Sequence, residues 1–347
     1  MAGGVRVAIL GATGAVGQEL IRVLEERDFP VRDLRLLATA RSAGRTLPFR
    51  GEEVRVEAVS PQAFQGVDLA LFSAGASVSR AYAPVALEAG ATVVDNSSAF
   101  RMEPEIPLVV PEVNGHLLKT GPRIVANPNC STAILVMALA PLGRAAGLRR
   151  VIVSTYQAVS GAGARAMQEL EDQVRAWIAG RPMEAAILPY RDGARHRPIA
   201  FNLLPQCDRF EEMGYTKEEW KLVHETRKIL GEAELPVTAT TVRVPVLRSH
   251  SESVYLETER PLEVEEARRL LAEAPGVAVL DDPEAQVYPT PMEASGKDPV
   301  FVGRIRKDPF ASHGLNLWVV GDQIRKGAAL NAVQIAEGLA APRGWRA

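Results

Sequence analysis

A chain of 347 residues, 47% of them hydrophobic, is long enough and apolar enough to build two domains, each with its own core. Forty basic residues are matched by forty-two acidic ones, which excludes the positive field that nucleic-acid binding requires. Two cysteines and five histidines, scattered and without C-x-x-C or H-E-x-x-H spacing, exclude a disulfide framework and leave a metal site without ligands, so free thiols in a reducing compartment are expected.

The chain opens with "VRVAIL", "GATGAVG" and "QELIRVLEER", which read as strand, glycine turn and helix. The first apolar run is too short for a membrane span and flows straight into the turn, so it reads as a core strand, and a cytoplasmic protein is the default. Val16, Leu20, Val23 and Leu24 recur at the spacing that lays one stripe of a helix on a sheet. Gly11, Gly14 and Gly17 stand where the strand becomes the helix, so backbone amides and the helix's positive end face whatever lies above, and a pyrophosphate fits there. The spacing G-x-x-G-x-x-G is a variant of the dinucleotide fingerprint and alone could be an ordinary tight turn, but the flanking strand and helix favour a nucleotide.

The next strand, "LRLLA" at 34–38, runs into "TARSAGR". Where an NAD enzyme places an acidic residue for the ribose hydroxyls, this chain offers Thr39, Arg41 and Ser42, which favours a 2′-phosphate and hence NADP; the plainer reading is a solvated loop arginine. Further strands are expected at 68–75, 92–98 and 123–129, with helical or loop segments between them. Strands alternating with helices point to a doubly wound parallel sheet of the Rossmann type.

"NPNCST" follows, at 127–132, between an apolar strand and the apolar helix "AILVMALAPL". Cys130 is then expected at a helix N-terminus, where the dipole favours a thiolate, and its polar neighbours Asn129 and Ser131 favour a nucleophile over a buried structural thiol. Cys207 has no comparable setting and reads as structural. Beyond Leu142 the pattern turns to longer β-rich stretches, pointing to a second, α+β domain. In "VRVPVLRSHSES", Arg243 suits a carboxylate and His250 suits proton transfer, although either could be a satisfied structural residue. Alternation places Val242, Val244 and Val246 on one face and leaves Arg243 on the other, pointing out of the apolar layer. Arg101, Lys217 and Lys221 read in isolation as ordinary surface charges. The helix beginning at Arg325 can return to the first domain, giving expected domains of 1–128 plus about 325–347, and 129–324.

Taken together, these motifs, with "DNSSAFRMEPEIPLVVPEVN", "STYQAVSGAGARAMQEL" and "LNLWVVGDQIRKGAALNAVQIAE", form an ordered series that resembles the aspartate-β-semialdehyde dehydrogenases nearly from end to end. The resemblance implies an N-terminal Rossmann-like domain with a catalytic and dimerisation domain of the semialdehyde dehydrogenase and glyceraldehyde-3-phosphate dehydrogenase type. It implies a homodimer that converts L-4-aspartyl phosphate and NADPH to L-aspartate 4-semialdehyde, NADP and phosphate, toward lysine, threonine, methionine and diaminopimelate. It makes Cys130 the nucleophile, His250 the acid/base, Gln157 a substrate-orienting amide and Arg243 the clamp on the α-carboxylate. Arg101 and Lys221 become phosphate ligands, and Asn129 and Glu218 further substrate contacts. For the cofactor it implies Gly11, Thr13, Gly14, Ala15 and Val16 at the pyrophosphate, and Thr39, Arg41 and Ser42 toward the 2′-phosphate. Ser160 and Gly161 are implied near the nicotinamide, and Gln323 at the cofactor. Ser249, where glycine is common in the family, and Gln323, where asparagine is common, depart from the pattern. Rival readings are another acyl-phosphate reductase, such as N-acetylglutamyl-phosphate reductase, and a non-catalytic NADP-binding paralogue.

Overall fold

The computed structural model describes residues 4–345, which fall into two units. One runs to Asn129 and resumes at Ala328; the other spans Cys130–Gly327. The first opens with β1 (Val5–Leu10), α1 (Ala15–Glu26), β2 (Val31–Ala38), β3 (Thr46–Phe49), β4 (Glu52–Ala58), β5 (Leu69–Phe72), α2 (Ala76–Glu88), β6 (Thr92–Asp95), α3 (Pro111–Asn114) and β7 (Ile124–Ala126). The second carries α4 (Cys130–Ala146), β8 (Leu148–Gln157), α5 (Ala164–Ile178), α6 (Lys217–Leu230), β9 (Val237–Arg243) and β10 (His250–Thr258). It continues with α7 (Val264–Ala272), β11 (Val277–Val279), α8 (Pro291–Ala294), β12 (Val300–Lys307) and β13 (Gly314–Gly321), after which α9 (Leu330–Arg343) completes the first unit.

In the first unit the strand order is β3-β4-β2-β1-β5-β6-β7, parallel except for β3 against β4. Alternation along β1 explains the two layers: Val5, Val7 and Ile9 join the cluster that includes α1 and α9, while Ala8 and Leu10 join the cluster that includes α2. The expected stripe on α1 is present, with Leu20, Val23 and Leu24 wholly buried and Val16 packed at its edge. The glycine turn is set by space as well as by torsion. Gly11 has φ 91°, and a Cβ on Gly17 would come within 2.2 Å of the Gly11 carbonyl oxygen, so α1 approaches the turn as closely as backbone allows. Strands β5, β6 and β7 end earlier than their apolar runs suggested, because the polar residues that follow bond locally. Asn127 N–H donates to the Asp95 carbonyl at 2.8 Å, and Ser97 Oγ donates to the Asp95 carboxylate at 2.7 Å.

The second unit holds a six-stranded sheet of order β11-β12-β13-β10-β8-β9. Its register sets side chains in rows across neighbouring strands. Gln157 on β8 stands beside Arg243 on β9, His250 on β10 stands beside Gly321 on β13, and the β8–β10 register carried on by one pair sets His250 beside Gln157. One row further along, Val319, Glu252, Thr155 and Thr241 line up in the same way.

The valine alternation drawn from the sequence is overturned here. β9 stops at Arg243 because Pro245 has no N–H to continue a ladder. The buried side of β9 is Val237, Ala239, Thr241 and Arg243, so Arg243 points into the packed side and not out of it.

Candidate functional site

The site is built where the row Gly321, His250, Gln157, Arg243 meets the first turn of α4. Cys130 opens that helix at intermediate exposure, as the sequence reading expects of a nucleophile at a helix N-terminus. Two contacts fix the turn over the row. Ser131 Oγ accepts from Gln157 Nε2 at 2.9 Å, and a Cβ on Gly321 would reach Ile134 at 2.8 Å.

His250 is fully buried, and its Nδ1 accepts the Ala158 backbone N–H at 3.0 Å. A backbone donor leaves no choice of tautomer: the neutral ring carries its proton on Nε2. That nitrogen is buried and has no hydrogen-bond partner among the described residues. Burial first, and the Arg243 charge second, push the imidazole pKa down to about 3, with Glu218 opposing, so the ring is neutral at physiological pH.

Arg243, 5% exposed, donates from Nη1 to the Ala158 carbonyl at 2.8 Å, while its buried Nε finds no partner among the described residues. A guanidinium with an unused buried N–H is prepared for a carboxylate. Gly161 completes the wall: a Cβ there would lie 2.8 Å from Arg243 Nη1 and 3.1 Å from His250 Nε2.

Gln157 Nε2 also reaches Glu218 Oε1 at 3.3 Å, and Lys221 Nζ donates to Glu218 Oε2 at 2.8 Å and to Asp208 Oδ2 at 3.4 Å. Lys221 is thus held between two carboxylates and is not the free surface charge that its sequence context suggested. Cys207 lies buried against this cluster, close enough for Arg243, Glu218 and Thr241 to act on it, and burial pushes its thiol up to about 11.

Within the first unit, Arg101 is also buried, at 7% exposure, with Nε on the Asn127 carbonyl at 2.9 Å and Nη2 on the Asn96 carbonyl at 2.7 Å. Its reading as an ordinary surface charge is corrected. Asn129 is buried as the last residue before α4. Gly14 is exposed at the N-cap of α1, whose first turn holds no acidic residue, and Thr13, Ala15 and Val16 flank it half-buried. That open helix end suits the phosphates of a dinucleotide. Thr39 and Arg41 are exposed and Ser42 is half-buried, around the short turn Ala40–Ser42 that follows β2.

Ser160 and Gln323 bond to each other, and the other end of the Gln323 amide accepts the Ser249 N–H at 2.8 Å. The residues that sequence reasoning missed are Ala158, Asp208 and Glu252. Ala158 acts through backbone alone, and the others become neighbours of the site only through strand pairing and long-range hydrogen bonds, so no local motif announces them.

Two domain families match the chain: the semialdehyde dehydrogenase NAD binding domain over residues 6–121 and the semialdehyde dehydrogenase dimerisation domain over residues 139–326. The aspartate-semialdehyde dehydrogenase of Bacillus subtilis is 53% identical over 340 residues, which cover 98% of each chain. The crystal structure of aspartate semialdehyde dehydrogenase II from Vibrio cholerae, complexed with ASA, superposes with a TM-score of 0.92 at 45% identity, covering 98% of this chain and 99% of that one. A Candida albicans aspartate semialdehyde dehydrogenase with NADP superposes at 0.75 and 26% identity, covering 99% and 100%.

Proposed function

The chain belongs to the aspartate-semialdehyde dehydrogenase family, and from that premise we propose how its own residues carry the reaction. The observation that supports the assignment most is the meeting of Cys130, at the N-terminus of α4, with the row His250, Gln157, Arg243.

A helix N-terminus favours negative charge on the Cys130 sulfur. The thiolate attacks the acyl carbon of L-4-aspartyl phosphate, the C–O bond to phosphate breaks, and a thioester forms on Cys130. Lys221, held beside Glu218 and Asp208, is the cation of the second unit proposed to receive the phosphate. NADPH, when bound, would supply the hydride that reduces the thioester, and NADP would be left. Reduction of the thioester gives a tetrahedral thiohemiacetal on Cys130, whose oxygen re-forms a carbonyl as the C–S bond breaks, returning the thiolate and releasing L-aspartate 4-semialdehyde. His250 serves the reacting oxygen: its Nε2–H is the available donor, and a preorganised donor stabilises charge as it develops in a water-poor site. Arg243, with its unpartnered Nε, is proposed to grip the α-carboxylate, and Gln157, with Glu218 behind it and Asn129 beside Cys130, to orient the substrate.

The preference for NADP over NAD is proposed from the exposed Arg41, with Thr39 and Ser42, where an acidic residue would serve NAD. The glycine turn Gly11–Gly17 suits the pyrophosphate, since no side chain at Gly14 covers the first turn of α1. Among the described residues no helix is long and apolar enough to cross a membrane, and both thiols are free, which fits the proposed cytoplasmic setting.

A homodimer is proposed from the dimerisation-domain match and from the less buried face of the six-stranded sheet, which carries half-buried Ile152, Ser154, Ser253, Tyr255 and Asn316 and the ring pair Tyr156–Trp318 at 5.4 Å. A second copy covers that face; sedimentation of Tyr156→Arg as a monomer would support this, and an unchanged dimer would not. The activity itself is tested by NADP reduction with L-aspartate 4-semialdehyde, which should require phosphate. Turnover independent of phosphate would overturn the acyl-phosphate chemistry.

A further inference from the structure

The residue before His250 sits where side chains are strained. Ser249 has φ 74°, in the left-handed region that costs most residues conformational energy and persists only where the surroundings enforce it. Two bonds enforce it here. The Ser249 N–H donates to Gln323 Oε1 at 2.8 Å, and its hydroxyl pairs with Ser295 Oγ at 2.9 Å. Ser249 is wholly buried and Gln323 is 3% exposed, so the bond between them does not compete with solvent.

The Gln323 amide is fully oriented by this arrangement. A backbone donor marks its oxygen, so Nε2 is the other end, and it donates to Ser160 Oγ. Ser160 precedes Gly161, the glycine whose missing Cβ leaves room for His250 Nε2 and Arg243 Nη1. One side chain therefore ties the turn that launches His250 to the wall on which His250 and Arg243 rest. The adjacent Asp322 grips the same region, accepting from Arg248 Nε and from the Gly296 N–H, each at 2.7 Å.

We propose that Gln323 is a positioning residue for the dehydrogenase reaction, a strut that holds Ser249 in its left-handed turn and thereby sets His250 against Gly161, rather than a cofactor ligand. The inference rests on the catalytic reading of His250 given above.

The test is Gln323→Leu, which keeps the side chain's bulk and removes both hydrogen bonds. Displacement of a catalytic group by a fraction of an ångström to an ångström costs on the order of 10- to 100-fold in kcat, so kcat should fall in that range while the Kd for NADP changes less than about twofold. Ser249→Gly added to the same protein should recover a large part of the lost kcat, because glycine holds φ near 74° without strain. A weakened NADP affinity with kcat retained would make Gln323 a cofactor ligand and overturn the proposal, as would failure of Ser249→Gly to rescue. If Gln323→Leu does not fold, Gln323→Asn, one methylene too short to span both partners, should show the same loss and the same rescue. Wild-type turnover of the semialdehyde tests the catalytic reading; the ratio of variant to wild type tests the strut.

Discussion

His250 and Arg243 are tied to the two polar ends of one residue: the Ala158 N–H is accepted by His250 Nδ1 at 3.0 Å, and the Ala158 carbonyl accepts from Arg243 Nη1 at 2.8 Å. The proposed oxygen-facing donor and the proposed carboxylate clamp are therefore set by a single stretch of backbone just past β8. Arg243→Lys keeps the charge and discards the fork. Losing one charge-assisted hydrogen bond costs about 1.5 to 3 kcal/mol, so kcat/KM for the semialdehyde should fall roughly 10- to 150-fold with NADP affinity unchanged. An unchanged kcat/KM would remove Arg243 from substrate binding.

His250→Asn should lower kcat by about 10² to 10⁴ and leave cofactor binding intact. The same variant has a stability signature. The folded pKa, about 3, lies below the ordinary value of 6.5, so between those values the unfolded chain takes a proton that the folded chain refuses, and stability falls as pH drops through that window. The asparagine variant should lose less of its melting temperature between pH 6.5 and the onset of acid unfolding than the wild type does. Parallel losses would show that His250 titrates normally.

Glu252 stands two residues beyond His250 on the same buried side of β10, with neither carboxyl oxygen partnered among the described residues, and burial raises its pKa well above 4.5. The sign is opposite to that of His250. Above about pH 4.5 the unfolded chain releases a proton that the folded chain keeps, so stability is lost as pH rises. Glu252→Gln, which cannot ionise, should raise the melting temperature at pH 7.5 and have far less effect at pH 4.5. A variant less stable than wild type at pH 7.5 would mean that Glu252 is ionised and paired.

Arg41→Ala should weaken NADP far more than NAD, since only the former has a 2′-phosphate for the guanidinium. Equal losses for both, read by binding titration, would leave Arg41 as a surface residue only.

Much of this architecture is legible in the chain because its signals are local. The strand, glycine turn and amphipathic helix of β1 and α1 follow from spacing contained in the one stretch Val5–Glu26, and the position of Cys130 at the start of α4 follows from an apolar helix preceded by polar residues. The orientation of Arg243 was misread because a valine alternation was carried past Pro245, where the strand cannot continue. The rows that bring Gln157, Arg243 and His250 together arise from pairing among strands far apart in sequence, and no window contains them. Gln323 and Ser249, 74 positions apart and joined by one hydrogen bond, are invisible to local reading for the same reason.

The central claim, a thioester on Cys130, is tested most directly by rapid mixing of enzyme, NADP and L-aspartate 4-semialdehyde without phosphate, followed by intact and peptide mass measurement. The account predicts a burst of NADPH no larger than the number of active sites, an acyl mass on Cys130 that phosphate discharges, and neither signal in Cys130→Ser, although that variant still binds NADP. Cys207, buried and with its thiol pushed up to about 11, should remain unmodified. A burst retained in Cys130→Ser, or an acyl mass on any residue other than Cys130, would contradict the account.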